Sequence, residues 1–201
     1  MEDNKKYLIA GLGNAEAKYS GTRHNIGFEV VSALAEELGV TFKSDRYAYM
    51  AKAKFKGKNL VLIMPTTYMN LSGKAIRYWL EAEKIEVSKL LVITDDLDLS
   101  PGTLRMKGKG SGGTHNGLNH IIEVLGHQNY PRLRFGIGKN YPQGYQVEYV
   151  LGKFEKKEWQ EAIEPSIKKA IGAIKTFLGA GIQKAMEQCN TKEIKEVKGE
   201  E

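Results

Sequence analysis

Five polar residues in this chain are of the types that ester hydrolysis by activated water requires: Asn14, His24, Asn70, Asp95 and Asn116. Each asparagine follows an apolar run or a glycine-rich loop. His24 lies in Thr22-Arg23-His24-Asn25, ahead of a helical pattern, and Asp95 opens Asp95-Asp96-Leu97-Asp98 after the apolar run 90–94. A neutral imidazole can take a proton from water, a carboxylate can fix which ring nitrogen carries the proton, and amides can bind a carbonyl or the oxyanion formed from it. Other chemistries fit less well. There is no GxSxG elbow for a serine nucleophile. Cys189 sits far along a C-terminal helix and reads as packing, and the four histidines lack metal-ligand spacing with it. Three acids at one strand end also suit a hard cation, but such an ion wants more oxygen ligands and the surroundings are basic. A carboxylate that orients a histidine, with no metal, is the preferred reading.

The hydrophobic pattern shows which elements must hold these groups. Residues 7–12, YLIAGL, offer little polar surface and predict a central buried strand, with Asn14 just beyond its end. Ile26, Val30, Leu34 and Leu38 recur every fourth residue, which predicts an amphipathic helix stopped by Gly39, with Thr22 as its N-cap. His24 then falls in the first turn, where a helix N-terminus disfavours the imidazolium and biases the ring towards its neutral form. Residues 46–54 and 59–64 read as a hairpin turning at Gly57, and Ser72 is expected to cap a helix carrying Ile76, Trp79 and Leu80. Tyr68 and Met69 lie where the chain turns over the sheet; exposed, they would offer aromatic and thioether surface to an apolar ligand, and otherwise they pack beneath the loop. Residues 103–107 and 133–137 read as strands, with Arg134 opposite its apolar neighbours. Gly110, Gly112 and Gly113 leave amides open ahead of His115 and Asn116, either as an anion nest or as a mobile loop. VEYVL (147–151) reads as a short strand or extended segment. The C-terminal section marches helically through Trp159, Ile163, Ile167, Ile171, Ile174 and Leu178, with a kink or a new start at Pro165 and a break at Gly179 and Gly181. Strands that alternate with helices give an open α/β sheet, whose site lies at the carboxyl ends of its strands.

At 201 residues the chain is long enough for one domain with its own core, placed at 1–190, and the charged stretch 191–201 is expected to be a disordered tail. One cysteine excludes an intrachain disulfide framework. No apolar run spans a bilayer and MEDNKKYLIAG lacks a secretory h-region, so the expected compartment is the cytoplasm. The net charge is +6, from 30 basic and 24 acidic side chains. Six of the basic residues fall between Lys43 and Lys58 against one acid, and Arg105, Lys107 and Lys109 form a second group; such patches can meet phosphates without reading bases. The GxG at 11–13 raises a dinucleotide loop, but Glu16 stands where the third glycine is needed and no Walker Lys-Ser pair occurs. A nucleotide cofactor is not expected.

The segments GLGN (11–14), TRHNIG (22–27), PTTYMNLSGKA (65–75), DDLDLSPG (95–102), GGTHNGL (112–118) and RLRFGIG (132–138) occur in fixed order. Together they resemble bacterial-type peptidyl-tRNA hydrolase over nearly the whole chain. The resemblance implies cleavage of the ester between a peptide's C-terminus and the 3′ ribose of tRNA. It implies a single α/β domain around a mixed sheet, monomeric and needing no metal or organic cofactor. His24 would be the general base and Asp95 its partner. Asn14 and Asn70 would hold substrate beside the catalytic water, and Asn116 would anchor the peptide backbone and order that water, with His115 beside it. Tyr19, Tyr68 and Met69 would line the pocket, while Arg105, Lys107 and Arg134 would face phosphate. Peptidyl-tRNA is then the partner, with no membrane and no obligate protein partner. Two departures stand out. Ala15 and Glu16 replace the family's usual proline and glycine, which would loosen the loop between Asn14 and His24, and Thr114 replaces a common glycine, which would narrow the peptide channel. An RNA-binding descendant without activity is the alternative, and it has no chemical reason to keep all five polar groups.

Overall fold

Leu8 and Ala10 face one apolar layer and Ile9 the other, so the first strand has no solvent face and needs no polar residue. A computed structural model describes residues 5–190; the tail expected at 191–201 lies outside the described residues. The strands are β1 (Lys6–Gly11), β2 (Lys43–Asp45), β3 (Ala48–Phe55), β4 (Lys58–Pro65), β5 (Leu90–Asp96), β6 (Leu104–Lys107) and β7 (Arg132–Gly136). They form one mixed sheet in the order β2-β3-β4-β1-β5-β7-β6. β4, β1, β5 and β7 run parallel at its centre, and the outer pairings are antiparallel. β4 and β5 show the same two-sided burial as β1: Leu60 and Leu62 oppose Val61 and Ile63, and Leu91 and Ile93 oppose Leu90 and Val92.

The helices are α1 (Ile26–Glu37), α2 (Ser72–Ala82), α3 (Asn116–Leu125), α4 (Gln146–Val150), α5 (Lys156–Glu158) and α6 (Glu164–Asn190). The stripes of α1 and α6 pack on the Ile9 side, and those of α2 and α3 on the Leu8 side. α1 starts hard against the strand ends. A Cβ on Gly27 would lie 2.5 Å from the Leu12 nitrogen and 2.6 Å from the Ile93 carbonyl oxygen, and one on Gly11 would lie 2.2 Å from the Gly27 oxygen. Only glycine fits at both places, and the fit carries the turn holding His24 up to the ends of β1 and β5.

Several local expectations are corrected. A 3-10 turn, Arg23–Asn25, intervenes before α1, and the Thr22 hydroxyl donates back to the Tyr19 carbonyl at 2.8 Å instead of capping. Ser72 is the first residue of α2, and its hydroxyl likewise donates back to Met69 at 2.6 Å. VEYVL falls largely within the helix α4, where the Tyr149 hydroxyl donates to the Ile137 carbonyl at 2.6 Å and Arg23 lies 4.3 Å over the Tyr149 ring. The irregularity at Pro165 is present: a wide π turn, Trp159–Ile163, precedes it and supplies the room that the missing N–H and the ring demand. α6 breaks at Gly181 (φ 86°, ψ 174°), and the chain beyond brings Asn190 to β6, the outermost strand. The Asn190 amide accepts from the Met106 nitrogen and donates to the Met106 oxygen, both at 2.8 Å.

Candidate active site

Asp95, the last residue but one of β5, has 3% of its side chain exposed, and two imidazoles converge on it. Nδ1 of His24 lies 2.8 Å from Oδ2, and Nε2 of His115 lies 2.9 Å from Oδ1. The partners decide the tautomers. His115 is the N-cap of α3, and its Nδ1 accepts from the backbone amides of Gly117 at 3.1 Å and Leu118 at 3.2 Å. That nitrogen therefore carries no proton, and Nε2 carries it and donates to Asp95. The carboxylate accepts from both rings, so His24 donates from Nδ1 and keeps the lone pair of Nε2 for the cavity it lines.

Burial opposes the charged form of Asp95, but the electrostatic attraction and hydrogen bonds of His24 and His115 outweigh it and hold the carboxyl well below its usual range. Burial also opposes an imidazolium at His24, yet the adjacent Asp95 outweighs it and raises the ring's pKa above 6.5. The neutral bias expected from a helix N-terminus is thus corrected: His24 precedes α1, and the nearest charge is a carboxylate. One ligand atom from each of His24, Asp95 and His115 fits within 4.8 Å, a spacing a metal could use. A metal would need lone pairs where both rings carry protons, and His115 cannot supply one without giving up its two amide bonds. The cluster is wired for protons.

The cavity beside this cluster holds about 380 Å³, within the usual range for a ligand site. Asn14 lines it. The Asn14 side-chain oxygen accepts from the Met69 nitrogen at 3.2 Å, so its NH₂ is left to donate. Asn116, the exposed first residue of α3, lines it too, as do Lys107 and Arg134. Arg134 donates from Nε to Asp96, which leaves the outer edge of its guanidinium for other acceptors. Thr114 is also at the wall. The remaining expected residues are not brought into this lining. Asn70 is exposed in the 3-10 turn Met69–Leu71, Tyr68 is 69% exposed nearby, and Tyr19 lies under the Lys18 ammonium in the turn Ala17–Tyr19. Arg105 donates to the Leu104 carbonyl and faces a separate groove with Cys189, whose thiol burial pushes up to about 11. Of the two readings of Met69, packing beneath the loop holds: only 6% of the residue is accessible, and its sulfur lies 2.8 Å from where a Cβ on Gly117 would stand.

Three residues not singled out from the sequence position the site. Asn25 is buried and grips both backbone groups of Asn14, accepting at 2.8 Å and donating at 2.9 Å. The loop carrying Ala15 and Glu16 is thereby closed from below. Arg23, next to His24, stacks on Tyr149 and pairs with Glu158 at 3.1 Å, tying α4, one wall of the cavity, to the His24 turn. Arg132 is 1% exposed and donates to the carbonyls of Ser111, Gln128 and Tyr130, which pins the glycine loop before His115. Strand alternation places Arg132 on the same face as Arg134, so that signal was available.

The chain is similar to known proteins over nearly its whole length. The family model for peptidyl-tRNA hydrolase matches residues 8–197. A peptidyl-tRNA hydrolase of Cytophaga hutchinsonii is 52% identical over 187 residues, covering 93% of this chain and 99% of that protein. One of Parabacteroides distasonis is 52% identical, covering 93% of this chain and all of its own length. The crystal structure of peptidyl-tRNA hydrolase from Acinetobacter baumannii superposes with a TM-score of 0.87 at 34% identity, over 95% of this chain and 96% of that one. With a match over most of its length and relatives at half identity, the chain belongs to the peptidyl-tRNA hydrolase family.

Proposed function

We propose that His24 is the general base in cleavage of the ester joining a peptide to the 3′ ribose of tRNA, the reaction of the family to which the chain belongs. The observation that carries the assignment is the His24–Asp95 pair, with a proton-free Nε2 at the cavity wall. Nε2 takes a proton from water as the water oxygen attacks the ester carbonyl. Asp95 accepts from Nδ1–H and stabilises the imidazolium, while the Asn14 NH₂ donates to the carbonyl as it becomes an oxyanion. Collapse breaks the bond to the ribose oxygen, which takes the proton back from Nε2. Asn116 anchors the peptide backbone, and Asn70, exposed in the turn Met69–Leu71, holds the substrate beside the attacking water. Tyr19 and Tyr68 shape the surface beside the peptide with Met69 packed beneath it, and Lys107, Arg134 and Arg105 face the phosphates. The enzyme needs no metal or organic cofactor and acts as a cytoplasmic monomer without an obligate protein partner. Among the described residues no helix is long and apolar enough to cross a membrane.

His24→Ala should cost about 10²- to 10⁴-fold in turnover of an N-blocked aminoacyl-tRNA, the usual contribution of a positioned base. Cleavage at the parent rate would overturn the assignment. Tight tRNA binding with no peptide release by the parent would instead favour an RNA-binding role.

A further inference from the structure

We infer that His115 acts as a positioning residue for catalysis through Asp95: anchored by the α3 amides, its Nε2–H occupies one carboxylate oxygen and so tempers the base strength of His24. The inference rests on His24 being the base. It starts from an asymmetry among the four histidines. His115, His120 and His127 each use Nδ1 to accept a backbone amide, from Gly117 and Leu118, from Gly73, and from Asn129. Only His24 turns Nδ1 towards a carboxylate.

The anchoring of His115 is unusual for an N-cap. A serine or asparagine in that place would satisfy the same amides and end there. An imidazole carries a second nitrogen on the far side of the ring, and here that nitrogen reaches Oδ1 of Asp95 at 2.9 Å. Two amide donors at Nδ1 make the tautomer of His115 the one that can only donate to Asp95. Asp95 then has Oδ1 engaged, while His24, facing an ionised carboxylate that can only accept, donates to Oδ2 and keeps its lone pair in the cavity. A carboxylate that already accepts one hydrogen bond is a weaker partner for the next, so His115 draws down the hold that Asp95 has on the His24 imidazolium. The result is a base that can release its proton to the leaving ribose oxygen.

Other charges also face this cluster. Asp96 and Asp98 follow Asp95, Lys107 comes from β6, and Arg132 and Arg134 come from β7, while the α4 wall contributes uncharged lining only. Arg23, beside His24, is paired with Glu158. None of these touches the His115–Asp95 bond, so they cancel when a variant is compared with the parent.

His115→Asn separates the two jobs of the residue. Asparagine caps helices well but is too short to reach Asp95, so the start of α3 is kept and only the donor is removed. The expected result is an acid limb of kcat displaced to higher pH by about half a unit or more, with KM for an N-blocked aminoacyl-tRNA held within about twofold. His115→Ser, a second capping residue without reach, should move the limb in the same direction, and it serves if the first variant folds poorly. An acid limb that stays in place, or a loss of activity confined to KM, would overturn the inference and make His115 a substrate contact or a helix cap alone. His24→Ala, run alongside, separates this from failure of the base assignment, because only that variant retaining full activity would sink the latter.

Discussion

Asp95→Asn keeps the shape of the side chain but removes its charge and one of its two acceptors. Both rings around it are donors, and one of them is not free to change. His115 cannot move its proton to Nδ1 while the Gly117 and Leu118 amides, at 3.1 and 3.2 Å, point at that nitrogen. The new amide must therefore give its oxygen to His115 and its NH₂ to His24. His24 answers by shifting its proton to Nε2, and the cavity then faces a donor where the reaction needs a lone pair. To act as a base, the ring must return to the Nδ1–H form against another N–H, losing a bond to a charged group and leaving a buried donor unmet. Such losses together amount to about 3–6 kcal/mol, or roughly 10²- to 10⁴-fold in kcat at about 1.4 kcal/mol per decade. Single-turnover hydrolysis of N-acetylated aminoacyl-tRNA, with circular dichroism as the control for folding, measures the loss. KM should stay within about twofold, because Asp95 is buried behind the two imidazoles. Adding His115→Asn to this variant should recover about tenfold, since the amide oxygen is then free to turn to His24. An Asp95→Asn enzyme within tenfold of the parent, or a double variant no faster than the single one, would refute the tautomer argument.

Further outcomes follow from the same geometry. Asn25→Ala leaves the Asn14 N–H and carbonyl without their partners, so stability should fall by about 1–3 kcal/mol in urea titrations and kcat should drop as the Asn14 amide loses its aim. Arg132→Met strips a donor from the buried carbonyls of Ser111, Gln128 and Tyr130, and should lower the melting temperature by roughly 5–10 °C at about 2–4 °C per kcal/mol. The site also gives stability a pH signature. Asp95, lowered in the fold, stabilises above its unfolded value of 3.8 and loses this as pH falls; His24, raised in the fold, stabilises below 6.5 and loses this as pH rises through its folded pKa. Asp95→Asn should flatten the melting temperature in both windows, which thermal scans across pH would read directly.

The central strands and the amphipathic helices were legible because each has a length of pattern that only one geometry satisfies. Ile26, Val30 and Leu34 lie in α1 as the fourfold spacing requires, and Pro165 and Gly181 mark irregularities where their covalent structure demands them. α4 was not legible, since five residues alternate too briefly to separate a strand from a helix. Thr22 and Ser72 have the chemistry of caps, but a hydroxyl can bond forward or back, and here both bond to the carbonyl three residues earlier. In the site, the sequence pointed to His24 and Asp95 as partners across 71 positions, and they meet at 2.8 Å. It could not show that Asp95 has a second claimant, because that depends on how a glycine loop pinned by Arg132 delivers His115. Nor does spacing reveal which side of an amide such as Asn14 faces the cavity; the Met69 nitrogen decides that from another loop.

The Asn190 side chain on β6 has a consequence for the whole sheet. A carboxamide offers the same donor and acceptor as a peptide group, so Met106 is bonded as if one residue of an eighth strand lay beside it. An exposed edge is a template on which copies of a chain can add without limit. Here that polymerising edge ends in a counterfeit peptide unit supplied by the chain's own helix. At the opposite edge β2 is only three residues long, too short a template to propagate from. Cutting the chain before residue 190 would uncover the Met106 groups and leave that end of the sheet unfinished.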